Sequence, residues 1–168
     1  MLSEEKSLGN VEVSLTPLQR FEEYLQSKNL RNTEPRRLLV EHVFTRHEHF
    51  DADTLIEELP RKGEVGYVGR ATVYRALTEL VEAGLLRKFS VEGRTVYEHD
   101  YGYPAHDHLY CSECKKLIEF QNEQLTEIRN ALAREHRFRV TGHKFIVTGV
   151  CYDCSRAKSR VHRKLDRI

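Results

Sequence analysis

Apolar positions recur three and four residues apart through the first half of the chain and then give way to alternation, so helices should come first and strands after. Thr16-Pro17-Leu18-Gln19 combines a capping-box pattern with proline at the first helical position, opening a helix with Leu18, Phe21 and Leu25 on one face and an end near Lys28-Asn29. Thr33-Glu34-Pro35 opens a second, carrying Leu38, Leu39, Val43 and Phe44, and a third runs from Asp51 to about Leu59, where Pro60 stops it. After Gly69 a fourth spans about Ala71 to Ala83, with Val73, Leu77, Leu80 and Val81 facing inward and Gly84 at the stop. Its other face shows Thr72, Tyr74 and Arg75. Leu85–Val91 and Arg94–His99 then flank Glu92-Gly93, the pattern of a β-hairpin. Helices followed by a hairpin predict a winged helix-turn-helix over residues 16–99.

The second half reads differently. Asp100-Tyr101-Gly102-Tyr103-Pro104 has turn chemistry and no period, which places a hinge at 100–105. Beyond it, Leu117–Phe120 reads as a strand, and Glu123 to His136 as a helix with Leu125, Ile128 and Leu132 inward. Phe138–Val140 and Phe145–Val150 read as further strands. The fold class is therefore α+β, an N-terminal winged helix plus a small C-terminal α/β domain over 106–154. So small a core predicts support from a metal and from a second copy of the chain, a homodimer. Residues 1–15 form a polar extension. Residues 155–168 form a basic tail with Arg156, Lys158, Arg160, Arg163, Lys164 and Arg167, either a solvated end or a sequence-independent DNA contact.

Composition narrows the class without choosing a partner. With 168 residues, 32% charged and 39% hydrophobic, the chain is globular. Its net charge of +1 carries no nucleic-acid signature, and residues 1–99 hold 14 Lys/Arg against 17 Asp/Glu. If that half binds DNA, a local basic face must do it. No secretory leader opens the chain and no apolar run could span a bilayer, so a reducing cytoplasmic location and no membrane contact are expected.

Cys111-x-x-Cys114 and Cys151-x-x-Cys154 are the sharpest chemical feature. Four thiolates in two such turns suit a closed tetrahedral zinc with sulfurs at about 2.3 Å, a staple whose binding energy is folding energy. Two disulfides or four reduced thiols are the alternatives. Just before the first pair stands Ala105-His106-Asp107-His108-Leu109-Tyr110, which sets nitrogen and oxygen donors beside the thiolates and suggests a second, sensing metal.

Gly69-Arg70-Ala71-Thr72-Val73-Tyr74-Arg75-Ala76-Leu77, Val96-Tyr97-Glu98, His106 through Cys114 and Cys151-x-x-Cys154 together resemble the ferric uptake regulator (Fur) family over about residues 17–154. The resemblance implies a dimeric, metal-dependent transcriptional regulator rather than an enzyme. It places a regulatory metal on His49, Glu98, His106, His108 and Glu119, with the first two before the hinge and the others after it. His106 and His108, two apart on a strand, would point to one face, where Glu119 can join them from the next strand. His42, His47, His99, His136 and His162 have no such support. Fe(II) is the expected regulatory ion, with Mn(II), Co(II) or Zn(II) as alternatives. Peroxide-sensing relatives typically carry Asp where this chain has Glu98 and Glu119, and zinc-sensing relatives often add a cysteine near the hairpin end.

At a third metal site held by some relatives the pattern departs. Ala105 stands where a histidine is common, Thr126 where a helix carboxylate is expected, and Asp107 and His143 remain, with Glu123 or Glu127 as substitutes. The alternative is that they are surface polar residues. For DNA, the fourth helix should enter the major groove of a palindromic double-stranded operator, presenting Arg70, Thr72, Tyr74 and Arg75. Arg31 matches a minor-groove position of the family, Arg36 is expected on the phosphate backbone, and Arg87 and Lys88 on the wing are expected to be solvated. The implied function is an Fe(II)-dependent repressor of iron-uptake genes, a homodimer or higher oligomer on DNA, with peroxide, zinc or manganese sensing as alternatives. From another class, His106, His108 and Glu119 could hold a catalytic zinc with Glu98 as base, a zinc-dependent hydrolase. The missing His-Glu-x-x-His helix counts against that reading.

Overall fold

The computed structural model describes residues 11–45 and 49–156. His47, His162, the first ten residues and residues 157–168 of the basic tail lie outside that range. The chain divides into two compact units, one reaching to Pro104 and the other beginning at Ala105.

The first unit contains α1 (Pro17–Ser27), α2 (Glu34–Phe44), α3 (Ala52–Glu58), α4 (Arg70–Glu82), β1 (Leu86–Val91) and β2 (Arg94–His99). Local chemistry accounts for the starts. The Thr16 hydroxyl accepts from the Gln19 N–H at 3.2 Å while the Gln19 side chain accepts from the Thr16 N–H at 2.9 Å, satisfying two donors that the first turn leaves orphaned. Asp51 caps α3 through the Thr54 N–H at 2.8 Å. Thr33 makes no such bond, so α2 starts on its proline and on packing. Phe21, Leu25, Leu39, Val40, Val43, Leu55, Val73, Leu77 and Leu80 are fully buried together, which makes one core for all four helices. Burying each such side chain is worth about 1.5–3 kcal/mol, and truncating one to alanine costs roughly 2–5 kcal/mol.

β1 and β2 pair antiparallel from Leu86↔His99 to Val91↔Arg94, joined by Glu92-Gly93. Both turn residues have positive φ, 48° and 80°, as a two-residue hairpin of the primed type requires; the glycine adopts this readily and Glu92 is held there by the pairing. Phe50 forms an isolated antiparallel bridge with Tyr97, with N–H···O distances of 3.2 and 2.8 Å, so the segment before α3 is tied to β2. Beyond the hairpin, the Asp100 and Tyr101 N–H groups both donate to the Leu85 carbonyl, at 3.0 and 3.3 Å. The Val11 N–H reaches the Gly102 carbonyl at 2.9 Å, so the described end of the N-terminal extension lies along this unit.

The second unit is a three-stranded sheet with a helix. β3 (Asp107–Cys111) is central, antiparallel to β4 (Leu117–Phe120) and parallel to β5 (Ile146–Gly149), and α5 covers Glu123–Glu135. Asn122 caps α5 through the Leu125 N–H at 3.2 Å.

Two expectations fail here. The apolar stripe of α5 does not face a core within the chain: none of its residues is buried, and Ile128 and Leu132 are 57% and 52% exposed. Helical periodicity shows that a stripe exists, not what covers it. The strand expected at Phe138–Val140 does not form. Arg137 turns left-handed at φ 49° and the Phe138 N–H returns to the Ala133 carbonyl at 2.7 Å, so these residues close α5 instead of extending the sheet.

Candidate metal centres and nucleic-acid face

The first centre is the cysteine cluster. Cys111 ends β3, Cys114 follows in a tight turn closed by the Lys115 N–H on the Cys111 carbonyl at 2.9 Å, and the Ser112 N–H on the Gly149 carbonyl at 2.8 Å brings the end of β5 alongside. All four sulfurs lie within 4.8 Å of one another, with Cys114 and Cys151 at 3.8 Å, and none is in a disulfide. A tetrahedron with sulfur at about 2.3 Å from zinc has sulfurs about 3.8 Å apart, so the cluster has the dimensions of a zinc site. The protonation pattern agrees. Backbone N–H groups of Cys151 and then Cys114 pull the Cys111 thiol down to about 6, whereas Cys154, donating to the sulfurs of Cys151 and Cys114, is pushed up to about 12. Sulfurs this close cannot all ionise without a cation among them.

In the first unit, the Phe50–Tyr97 bridge sets His49 beside Glu98, with His49 Nε2 at 3.1 Å from Glu98 Oε2. Glu98 is buried, at 7% exposed, and His49 is half-buried, at 12%. Arg87, directly opposite Glu98 in the hairpin register, puts Nε at 3.4 Å from Glu98 Oε1 and 2.9 Å from Asp100 Oδ1. It was expected to be solvated and is instead a counter-ion to the carboxylate. Cross-strand pairing, invisible without the register, is the reason.

In the second unit, strand alternation separates two sets of donors. His106 and His108 share one face, their rings 4.8 Å apart edge to face, and Glu119 stands opposite His108 in register with Oε1 at 3.7 Å from His106 Nε2. All but Glu119 of these side chains are buried, and Glu119 is half-buried. Asp107, between the two histidines, points to the other face, where its Oδ1 lies 3.1 Å from His143 Nε2. Arg129 of α5 places Nη1 at 3.0 Å from His143 Nδ1. Thr126, Glu123 and Glu127 are exposed.

The outer face of α4 presents the residues expected to meet DNA. Tyr74 is 44% exposed, and Arg70 Nη2 and the Tyr74 hydroxyl both donate to Asp53 Oδ1 of α3, at 2.8 and 3.2 Å. Arg75 is exposed with Nε on the Ala71 carbonyl at 3.2 Å, while Thr72 is half-buried. Arg31 is exposed. Arg36 is not on that surface in the same sense: its guanidinium grips Glu79 of α4 with Nε–Oε2 at 3.0 Å and Nη2–Oε1 at 2.7 Å, and donates to the Arg31 carbonyl at 2.6 Å. Sequence reasoning missed Glu79 and Asp53, which nothing local marks as partners of residues on another helix. Among the described residues no helix is long and apolar enough to cross a membrane.

The sequence model of the ferric uptake regulator family matches residues 27–148. The chain is 34% identical over 154 residues to the ferric uptake regulation protein of Campylobacter jejuni, covering 92% of this chain and 98% of that one. Among solved structures it resembles the Vibrio cholerae ferric uptake regulator, with a TM-score of 0.64 and 30% identity over 77% of this chain and 98% of that one. It also resembles the ferric uptake regulator from Pseudomonas aeruginosa with manganese, with a TM-score of 0.65 and 27% identity over 78% and 97% of the two chains.

Proposed function

The chain belongs to the ferric uptake regulator family, and from that premise we propose that it is an Fe(II)-dependent repressor of iron-uptake genes, binding palindromic DNA operators as a homodimer in the cytoplasm. The family's members are transcription regulators, so the hydrolase reading falls. Residues 16–99 form the DNA-binding domain, 100–105 the hinge and 106–154 the dimerisation and metal-binding domain.

The observation that carries this reading is the half-buried imidazole of His49 and the buried carboxylate of Glu98, held 3.1 Å apart by the backbone bridge that ties Phe50 to Tyr97. Buried ionisable groups are kept where they have a task. On the other side of the hinge, His106, His108 and Glu119 supply the matching donors. A divalent ion, when bound, supplies a coordination shell that both sets of side chains can share. His49 and Glu98 then tether the winged helix, and His106, His108 and Glu119 tether the C-terminal domain. Ligation favours the conformer in which all five can reach one ion, by the difference in affinity between conformers. That conformer spaces two copies of α4 for two half-sites of one operator, with Arg70, Thr72, Tyr74 and Arg75 in the major groove and Arg31 in the minor groove.

Imidazole and carboxylate without thiolate suits Fe(II), and Glu rather than Asp at positions 98 and 119 sets the chain apart from the peroxide-sensing pattern. The manganese in the Pseudomonas relative favours Mn(II) as the second reading. Structural zinc is assigned to Cys111, Cys114, Cys151 and Cys154 on their dimensions, and the exposed stripe of Ile128 and Leu132 supports the homodimer. The test is the double substitution His49→Ala, Glu98→Ala. The reading expects loss of metal-dependent DNA binding with dimers intact, and metal-stimulated binding in the variant would overturn it.

A further inference from the structure

Asp107, His143 and Arg129 occupy the place of the third metal site known from the family pattern, and their geometry does not fit a metal. A guanidinium has donors only. With Arg129 Nη1 at 3.0 Å from His143 Nδ1, that nitrogen must be the acceptor, so the neutral ring carries its proton on Nε2, the atom 3.1 Å from Asp107 Oδ1. The approach to the carboxylate is oblique, a charge–dipole contact rather than an aligned hydrogen bond, and Oδ1 is a buried oxygen without another partner. Arg129 is itself anchored, with Nε and Nη2 on the Asn130 side-chain oxygen at 3.1 and 3.0 Å.

A cation would need the Nε2 lone pair. Freeing it moves the ring proton to Nδ1, where N–H would face N–H of the guanidinium, and the ion would then sit close to a fixed positive charge. The remaining shell is poor as well: Ala105 has no donor, Thr126 offers a hydroxyl, and Glu123 and Glu127 are exposed.

We infer that these three side chains form a metal-free polar latch, in which Arg129 compensates the buried Asp107 through His143 and so joins β3, α5 and the segment entering β5. The inference does not rest on the regulatory site, since no residue is shared with it. Only Asp107 and His143 were visible in the sequence as candidates. Arg129 sits three residues beyond Thr126, nearly one helical turn on, so the same face of α5 that would offer a carboxylate offers a cation.

The experiment is long-range ¹H–¹⁵N correlation of the histidine side chains in the full-length protein, with and without Zn(II), together with zinc content per chain. The latch predicts a single Nε2–H tautomer for His143 that added Zn(II) leaves unchanged, a mixture of tautomers in Arg129→Leu, and an unchanged zinc-to-chain ratio in His143→Ala. A loss of the Nε2 proton on adding Zn(II), or a loss of one zinc per chain in His143→Ala, would overturn it. The tautomer measurement is made on the unmodified protein, so it decides the matter even where a variant fails to fold.

Discussion

Arg36 offers a test of whether a basic residue on this surface serves DNA or the fold. Its fork meets Glu79 through two contacts of 3.0 and 2.7 Å, with the two side chains 18% and 14% exposed, and so pins α2 to α4. Breaking a fully buried pair by removing one partner costs about 3–5 kcal/mol, whereas an exposed pair is worth roughly 0.2–1 kcal/mol. At this exposure, Arg36→Ala should cost about 2 kcal/mol, including the packing of its aliphatic stem. For a unit of this size that is a fall in Tm of roughly 8–16 °C. Thermal denaturation by circular dichroism of Arg36→Ala, Glu79→Gln and the double variant gives the coupling energy, expected at about 1–2 kcal/mol. Arg36→Lys separates the two roles, because it keeps a charge for phosphate but loses the planar fork. A pin predicts that lysine destabilises. If Arg36→Lys melts like the wild type and Arg36→Ala weakens DNA binding without lowering Tm, the pin is wrong and Arg36 is a backbone contact.

Three further outcomes follow from the same geometry. Cys111→Ser should lower the zinc content by one ion per chain and melt the C-terminal unit, read by metal analysis and circular dichroism; retention of both would remove the staple. Ile128→Glu with Leu132→Glu should turn dimers into monomers in analytical ultracentrifugation while leaving each chain folded, because both residues are exposed in the single chain and a buried unpaired carboxylate is costly in the assembly. The Tyr24 hydroxyl is pushed up to about 12 by burial and by its hydrogen bond to Glu82 at 2.6 Å, so the fold favours the neutral phenol. Its stabilising contribution is complete below the ordinary tyrosine value near 10 and is lost as pH rises from there towards 12, so Tyr24→Phe should show a flatter fall of Tm over that window.

Much of the fold was legible because it is written locally. Thr16-Pro17 and Asp51 announce helix starts by side chains that satisfy neighbouring N–H groups, and Glu92-Gly93 announces a hairpin by the residues a primed turn accepts. The cysteine cluster was legible for the same reason, since each pair sits in one turn, and the alternation of His106, Asp107 and His108 follows from strand period alone. Long-range ion pairs were not legible. Arg36 and Glu79 are 43 residues apart, and Arg87 meets Glu98 only through the register of the hairpin. The stripe on α5 was read correctly as apolar and wrongly as inward, because helical periodicity marks an apolar face without marking what covers it.

The claim at the centre of this account is that a divalent ion held by His49, Glu98, His106, His108 and Glu119 switches DNA binding. It is tested by fluorescence anisotropy on a palindromic A·T-rich duplex under anaerobic conditions, with the proposed zinc of the four cysteines retained, titrating Fe(II), Mn(II), buffered Zn(II) or no metal. Fe(II) is expected to tighten binding at concentrations where buffered Zn(II) does not. Equal affinity with every metal and with none would contradict it.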